Sequence, residues 1–138
     1  MQIEELVQRQ RAFYSTGKTL PVEFRMEALR KLKAEICAME PEIHRALEQD
    51  LGKSGMESYM CEVGMTLAEL SYLLAHTPGY FRPHRAATPL AQFHASSFTQ
   101  AEPYGLVLVM SPWNYPFMLT LEPLLGALSL IHISEPTR

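Results

Sequence analysis

The sequence predicts an α/β chain. N-terminal helices lead into the first βα unit of a doubly wound sheet that stays incomplete, giving a mostly helical chain with two strands. Three observations carry this. Apolar residues recur every three or four positions through the first half of the chain. A continuous apolar run, Leu106-Val107-Leu108-Val109-Met110, follows a proline-rich stretch. Pro112-Trp113-Asn114-Tyr115-Pro116-Phe117 then makes a tight turn ahead of another helical pattern. The first spacing suits helices burying one stripe, and the run suits a strand covered on both faces.

Ile3, Leu6, Val7 and Phe13 form the first stripe, and Gly17 offers its C-terminal cap. Pro21 opens a second helix, along which Val22, Met26, Leu29, Leu32, Ile36 and Met39 share a face. Pro41 separates a third helix, which carries Ile43, Leu47 and Leu51 and stops at Gly52. Ser54 and Glu57 stand at capping-box spacing for a fourth. Its stripe is Met56, Met60, Val63, Leu67, Leu70 and Leu74, and Pro78 follows its end. The stripes are short and broken by prolines, so they are expected to face a core, with the methionines filling gaps.

Between Pro78 and Leu90, Pro78, Gly79, Pro83 and Pro89 predict an ordered loop. Phe93 to Glu102 reads as an exposed antiparallel strand bounded by Pro103 and Gly105. Leu106–Met110 is the second strand. Phe117 to Leu128 is helical by pattern, with Pro116 near its first turn and Pro123 as a kink. The expected divisions are a helical segment at 1–77, a loop and strand at 78–104, a βα unit at 105–127 and a tail at 128–138.

The totals narrow the function classes. A chain of 138 residues suits one domain. A formal net charge of −3 is too mild for a nucleic-acid surface. Cys37 and Cys61 are the only cysteines, without zinc-ligand spacing, and read as reduced core or half-buried thiols; no metal is expected. The acidic start Met1-Gln2-Ile3-Glu4-Glu5 lacks an apolar signal core and points to the cytoplasm. The apolar stretch Phe117–Ile131 contains Glu122 and Pro123 and is shorter than the ~20 residues a membrane span needs. No glycine-rich dinucleotide or phosphate fingerprint occurs.

The candidate site is Asn114. A strand, a sharp turn and a helix start put it at the carboxyl end of a strand, where ligands bind in open α/β sheets. Its side-chain N–H can donate to an oxyanion. Asn is also a favoured helix N-cap, so a purely capping role stays open on spacing alone.

The run Glu102-Pro103-Tyr104-Gly105-Leu106-Val107-Leu108-Val109-Met110-Ser111-Pro112-Trp113-Asn114-Tyr115-Pro116-Phe117 resembles the N-terminal signature of the aldehyde dehydrogenase superfamily, in its short, class-three-like branch. Asp50-Leu51-Gly52-Lys53 and the long helix after it resemble the same branch, and the likeness extends to about Ala127. It implies a nucleotide-binding sheet and oxidation of an aldehyde to a carboxylic acid with NAD or NADP. A cysteine thiolate would attack the aldehyde, and a glutamate-activated water would release the acid. By resemblance Asn114 is the oxyanion donor, Met110, Ser111, Pro112 and Trp113 line the nicotinamide end of the cofactor site, and Tyr115 lines the aldehyde entrance. The family often pairs subunits, so a homodimer or other homo-oligomer is expected, with Phe93–Glu102 similar to an oligomerisation strand.

The family's nucleophilic cysteine, its general-base glutamate and its ribose- and phosphate-binding turns have no counterparts in this sequence. Cys37 and Cys61 lie in the wrong context to replace the nucleophile. This chain is therefore expected to be the N-terminal fragment of an enzyme, inactive alone. After Ala127 the family pattern gives way to Leu128-Ser129-Leu130-Ile131-His132-Ile133-Ser134-Glu135-Pro136-Thr137-Arg138. Those residues back-translate to a string resembling a transposase sequencing adapter read in frame, so residues 128–138 are expected to be an assembly artefact and His132 is not read as a ligand. The alternative function is a non-catalytic helical module that binds a full-length relative. An amphipathic membrane-surface role ranks last, because the helices carry mixed charge.

Overall fold

The computed structural model describes residues 2–129. Helices α1 (Ile3–Ser15), α2 (Val22–Ala38) and α3 (Glu40–Leu51) come first. α4 (Gly55–Ser58), a π-turn at Tyr59–Val63 and α5 (Gly64–Tyr80) then run on without a break. Strands β1 (His84–Ala86) and β2 (Ser97–Thr99) precede α6 (Met118–Ser129). The chain is mostly helical with two strands, as the sequence predicts, although one strand differs from the expected pair. The tail expectation falls on residues that lie, from 130 onward, outside those described.

The helix punctuation follows local chemistry. Gly17 (φ +72°) and Gly52 (φ +67°) both take the left-handed conformation after a helix. The Gly52 N–H donates to the Glu48 carbonyl at 2.9 Å and closes the last turn of α3. Ser54 Oγ accepts the Glu57 N–H at 3.2 Å, one half of the predicted capping box. Pro41 sits in the first turn of α3, where its missing donor costs nothing. Pro78 departs from expectation: it lies inside α5, which continues to Tyr80. In the last turn a proline forfeits a single ladder bond, too little to end the helix early.

The core lies among α2, α5 and α6. Leu29 and Ile36 meet Val63, Leu70, Leu73 and Leu125, with Leu32, Ile43, Leu67, Phe117 and Leu121 packed around them. α1 buries no residue, so its apolar stripe does not face a closed core. The stripe after Ser54 also differs from the uniform helical period. Its buried positions are Ser58, Glu62, Val63, Thr66, Leu70, Leu73 and Thr77, whereas Met56 and Met60 are 71% and 61% exposed. The π-turn explains the shift, because one extra residue in a turn rotates everything beyond it. Met39, Met65 and Met110 are exposed too and Met118 is half-buried, so among the described residues Met26 is the one methionine that is buried as expected. Cys37 is exposed and Cys61 half-buried.

β1 and β2 pair antiparallel, with His84 opposite Thr99, Arg85 opposite Phe98 and Ala86 opposite Ser97. The Thr88 hydroxyl accepts the Ser97 N–H at 2.9 Å and ties down the connection. The strand expected at Phe93–Glu102 shortens to Ser97–Thr99, because His94 adopts φ +79° after a short 3₁₀ turn at Leu90–Gln92. β1 falls where a loop was expected; Pro83 and Pro89 flank it rather than interrupt it.

Leu106–Met110 is the main correction. It joins no ladder, and β1–β2 is the only sheet among the described residues. Its composition suits a strand inside a sheet, but strand structure requires a hydrogen-bonded neighbour, and none of the described residues supplies one. No helix among the described residues is long and apolar enough to cross a membrane.

Candidate active site

The turn carrying Asn114 follows the extended, unpaired segment and leads into α6. Helix α6 begins at Met118, four positions beyond Asn114, so Asn114 is not its N-cap. A side chain from another helix takes the capping role. Glu62 Oε2 accepts the backbone N–H of Phe117 at 2.8 Å and of Met118 at 3.3 Å. A carboxylate there satisfies amides that the helix leaves unpaired and opposes the positive end of its dipole.

The other oxygen of Glu62 accepts from Lys53 Nζ at 2.5 Å. Glu62 is fully buried and Lys53 is 7% exposed. Lys53 also donates to the Asn114 carbonyl at 3.1 Å. Its ammonium lies 4.0 Å from the centroid of the Tyr115 ring, whose face it covers. One buried ion pair thus grips the turn at both ends, at the carbonyl of residue 114 and at the amides of 117 and 118.

The remaining predicted site residues fall along this turn. The Asn114 side chain is exposed, and among the described residues its carboxamide makes no hydrogen bond. Tyr115 is half-buried beneath Lys53. Ser111 Oγ pairs with Thr120 Oγ1 at 2.6 Å, and Thr120 Oγ1 also donates to the Pro116 carbonyl at 2.6 Å. Pro112 is exposed, and Met110 and Trp113 are 83% and 90% exposed. Met110, Pro112 and Trp113 therefore present an open apolar surface, not a closed cleft, with Ser111 half-buried among them. A cavity of about 580 Å³ lies elsewhere, between α1, α2 and the Pro103–Val107 segment, and contains none of these residues.

Sequence reasoning misses Glu62 and gives Lys53 no role. The available signal was a glutamate beside Val63 in an otherwise apolar stripe, which is costly to bury unless partnered. On α6, burial raises the Glu122 carboxyl above its usual range, and the charge of Glu69 adds to this.

The pattern of the aldehyde dehydrogenase family matches residues 1–130. The 4,4'-diaponeurosporen-aldehyde dehydrogenase of Staphylococcus aureus (strain NCTC 8325 / PS 47) is 39% identical over 127 residues, covering 92% of this chain and 28% of that protein. Human aldehyde dehydrogenase family 3 member B1 is 38% identical over 125 residues, covering 91% of this chain and 27% of that protein. The solved structure described as the substrate-bound state of Staphylococcus aureus AldH superposes with a TM-score of 0.89 at 38% identity, covering 94% of this chain and 28% of that one. The chain spans little more than a quarter of the length of these relatives, and its helices match the N-terminal part of that structure. With the Pro112–Phe117 turn, the helices before it and the matched residues in agreement, the chain belongs to the aldehyde dehydrogenase family.

Proposed function

We propose that this chain supplies the oxyanion-stabilising segment of an NAD- or NADP-dependent enzyme that oxidises aldehydes to carboxylic acids. The supporting observation is the contrast at Asn114. Its backbone carbonyl is fixed by the buried Lys53, while its carboxamide is exposed and uncommitted. A donor on an anchored backbone needs little reorganisation when charge develops on a substrate oxygen. As a nucleophile adds to an aldehyde carbonyl, the oxygen gains negative charge, and the Asn114 N–H would donate to it.

The residues present fit one side of a nicotinamide. Trp113 offers an exposed flat face of the kind that stacks against a planar ring, Met110 adds exposed polarisable surface, and Pro112 stiffens the stretch between them. When bound, the nicotinamide would provide the hydride acceptor. Tyr115, under Lys53, would border the aldehyde's approach. Neither Cys37 nor Cys61 lies in the turn, so neither is placed to attack an aldehyde there. The assembled enzyme is proposed to be a homo-oligomer, with the exposed β1–β2 ribbon as a contact element.

The test is Asn114→Ala in the complete enzyme that carries this segment. Turnover should fall by roughly 10²–10³ while cofactor affinity is retained. Unchanged turnover would remove Asn114 from the chemistry.

A further inference from the structure

We infer that Lys53 and Glu62 are positioning residues for the oxyanion donor, a role that rests on the reading of Asn114 given above. The pair does more than staple two helices. Glu62 sends its two oxygens in different directions, one to Lys53 at 2.5 Å and the other to the Phe117 amide at 2.8 Å, with Met118 at 3.3 Å. Lys53 closes the loop by donating to the Asn114 carbonyl at 3.1 Å. The circuit therefore runs from residue 114 through both side chains and back into the chain at residue 117. It fixes the peptide plane leaving Asn114, and with it the base from which the carboxamide projects.

Burial argues for function over simple stability. Removing both charges from water is costly, and a well-packed apolar pair of similar size often serves stability as well. The cap of α6 could come from a local residue at far less cost, since Asn, Ser and Asp cap helices from within the turn. Capping from Glu62 instead joins the start of α6 to the side chain that holds Lys53, and through Lys53 to the Asn114 carbonyl. The π-turn at Tyr59–Val63 is the local feature that lets Glu62 and Val63, adjacent in sequence, both be fully buried.

A double-mutant cycle in the complete enzyme tests this, using Glu62→Gln, Asn114→Ala and the two together. Glu62→Gln keeps the shape and removes the charge that holds Lys53. It should lower kcat about ten- to a hundredfold, with KM for the aldehyde and cofactor affinity nearly unchanged, because a small misplacement of a donor acts mainly in the transition state. In the Asn114→Ala background the same substitution should cost less than about threefold, since the group it positions is already gone. Lys53→Arg, which retains charge and donors, should recover more activity than Lys53→Met. If Glu62→Gln does not fold, Lys53→Met replaces it in the cycle. Losses that multiply in an impaired Asn114→Ala enzyme would show that the pair is only structural. An Asn114→Ala enzyme with full activity would instead overturn the oxyanion reading itself.

Discussion

A single hydrogen at Gly64 decides where Glu62 points. The Gly64 N–H donates to the Tyr59 carbonyl, which closes the π-turn. A Cβ at residue 64 would lie 2.7 Å from that same oxygen and 3.0 Å from the Tyr59 ring. Gly64→Ala should therefore destabilise the protein by about 1–3 kcal/mol, the usual cost of overpacking. An ordinary helical turn in its place would change the direction of Glu62 relative to α5, pulling its carboxylate from Lys53 and the Phe117 amide. In the complete enzyme, thermal unfolding should show the loss of stability and kcat should fall with it. An alanine variant of unchanged stability and turnover would show that the π-turn is not needed. This residue marks the boundary of what the sequence discloses. Asn114 is legible because its neighbours are prolines and aromatics within six positions. Lys53 lies 61 residues before its acceptor at Asn114, and local pattern carries no record of such a contact. Gly64 in a helix reads only as a weak point until the turn that requires it is seen.

Helix boundaries set by glycine and by side-chain caps are legible, because Gly52 and Ser54 act within their own turn. The buried face of α5 is not, because period-based reading assumes 3.6 residues throughout and the π-turn breaks that assumption. The docking of α6 on α5 has a further property that only the folded arrangement reveals. Burial, and then Glu69, hold the Glu122 carboxyl above its usual range in the folded state. The folded chain therefore favours the protonated acid. That contribution to stability is fully present below the ordinary carboxylate value, and it is lost as pH rises through the elevated one. Glu122→Gln keeps a neutral group at every pH. It should increase hydrogen-exchange protection of the α6 amides relative to the parent at about pH 7, and the difference should vanish below about pH 4. The comparison is made at matched pH, which cancels the titration of the other carboxylates. Equal protection in variant and parent at neutral pH would show that Glu122 carries no penalty. Since the Asn114 turn feeds directly into α6, firmer docking also steadies the site.

For the whole molecule, the segment before the turn governs behaviour. Leu108, Met110 and Trp113 are 81%, 83% and 90% exposed, and Val107 is 51% exposed, within a stretch that no described strand pairs. A cavity of about 580 Å³ opens beside it, lined by Phe13, Tyr14, Phe24 and Leu106 among others. Contiguous apolar surface next to unpaired backbone donors and acceptors promotes association between chains. Leu106–Met110 reads from the sequence as a buried strand, whereas the run is extended apolar chain without a ladder among the described residues. The isolated 138-residue chain should therefore bind a hydrophobic dye strongly, sediment as a polydisperse species at micromolar concentration and reduce no NAD or NADP with aldehydes. Replacing Leu108 and Met110 by lysine should lower dye binding and shift the chain toward monomer while leaving the helical circular dichroism intact, because neither side chain belongs to the α2–α5–α6 core. Charged side chains blunt an exposed edge in this way in natural sheets. A sharp, dispersed amide spectrum from a monomeric parent chain would mean that the segment is covered in solution, and sedimentation velocity on parent and double-lysine chains would then show no difference.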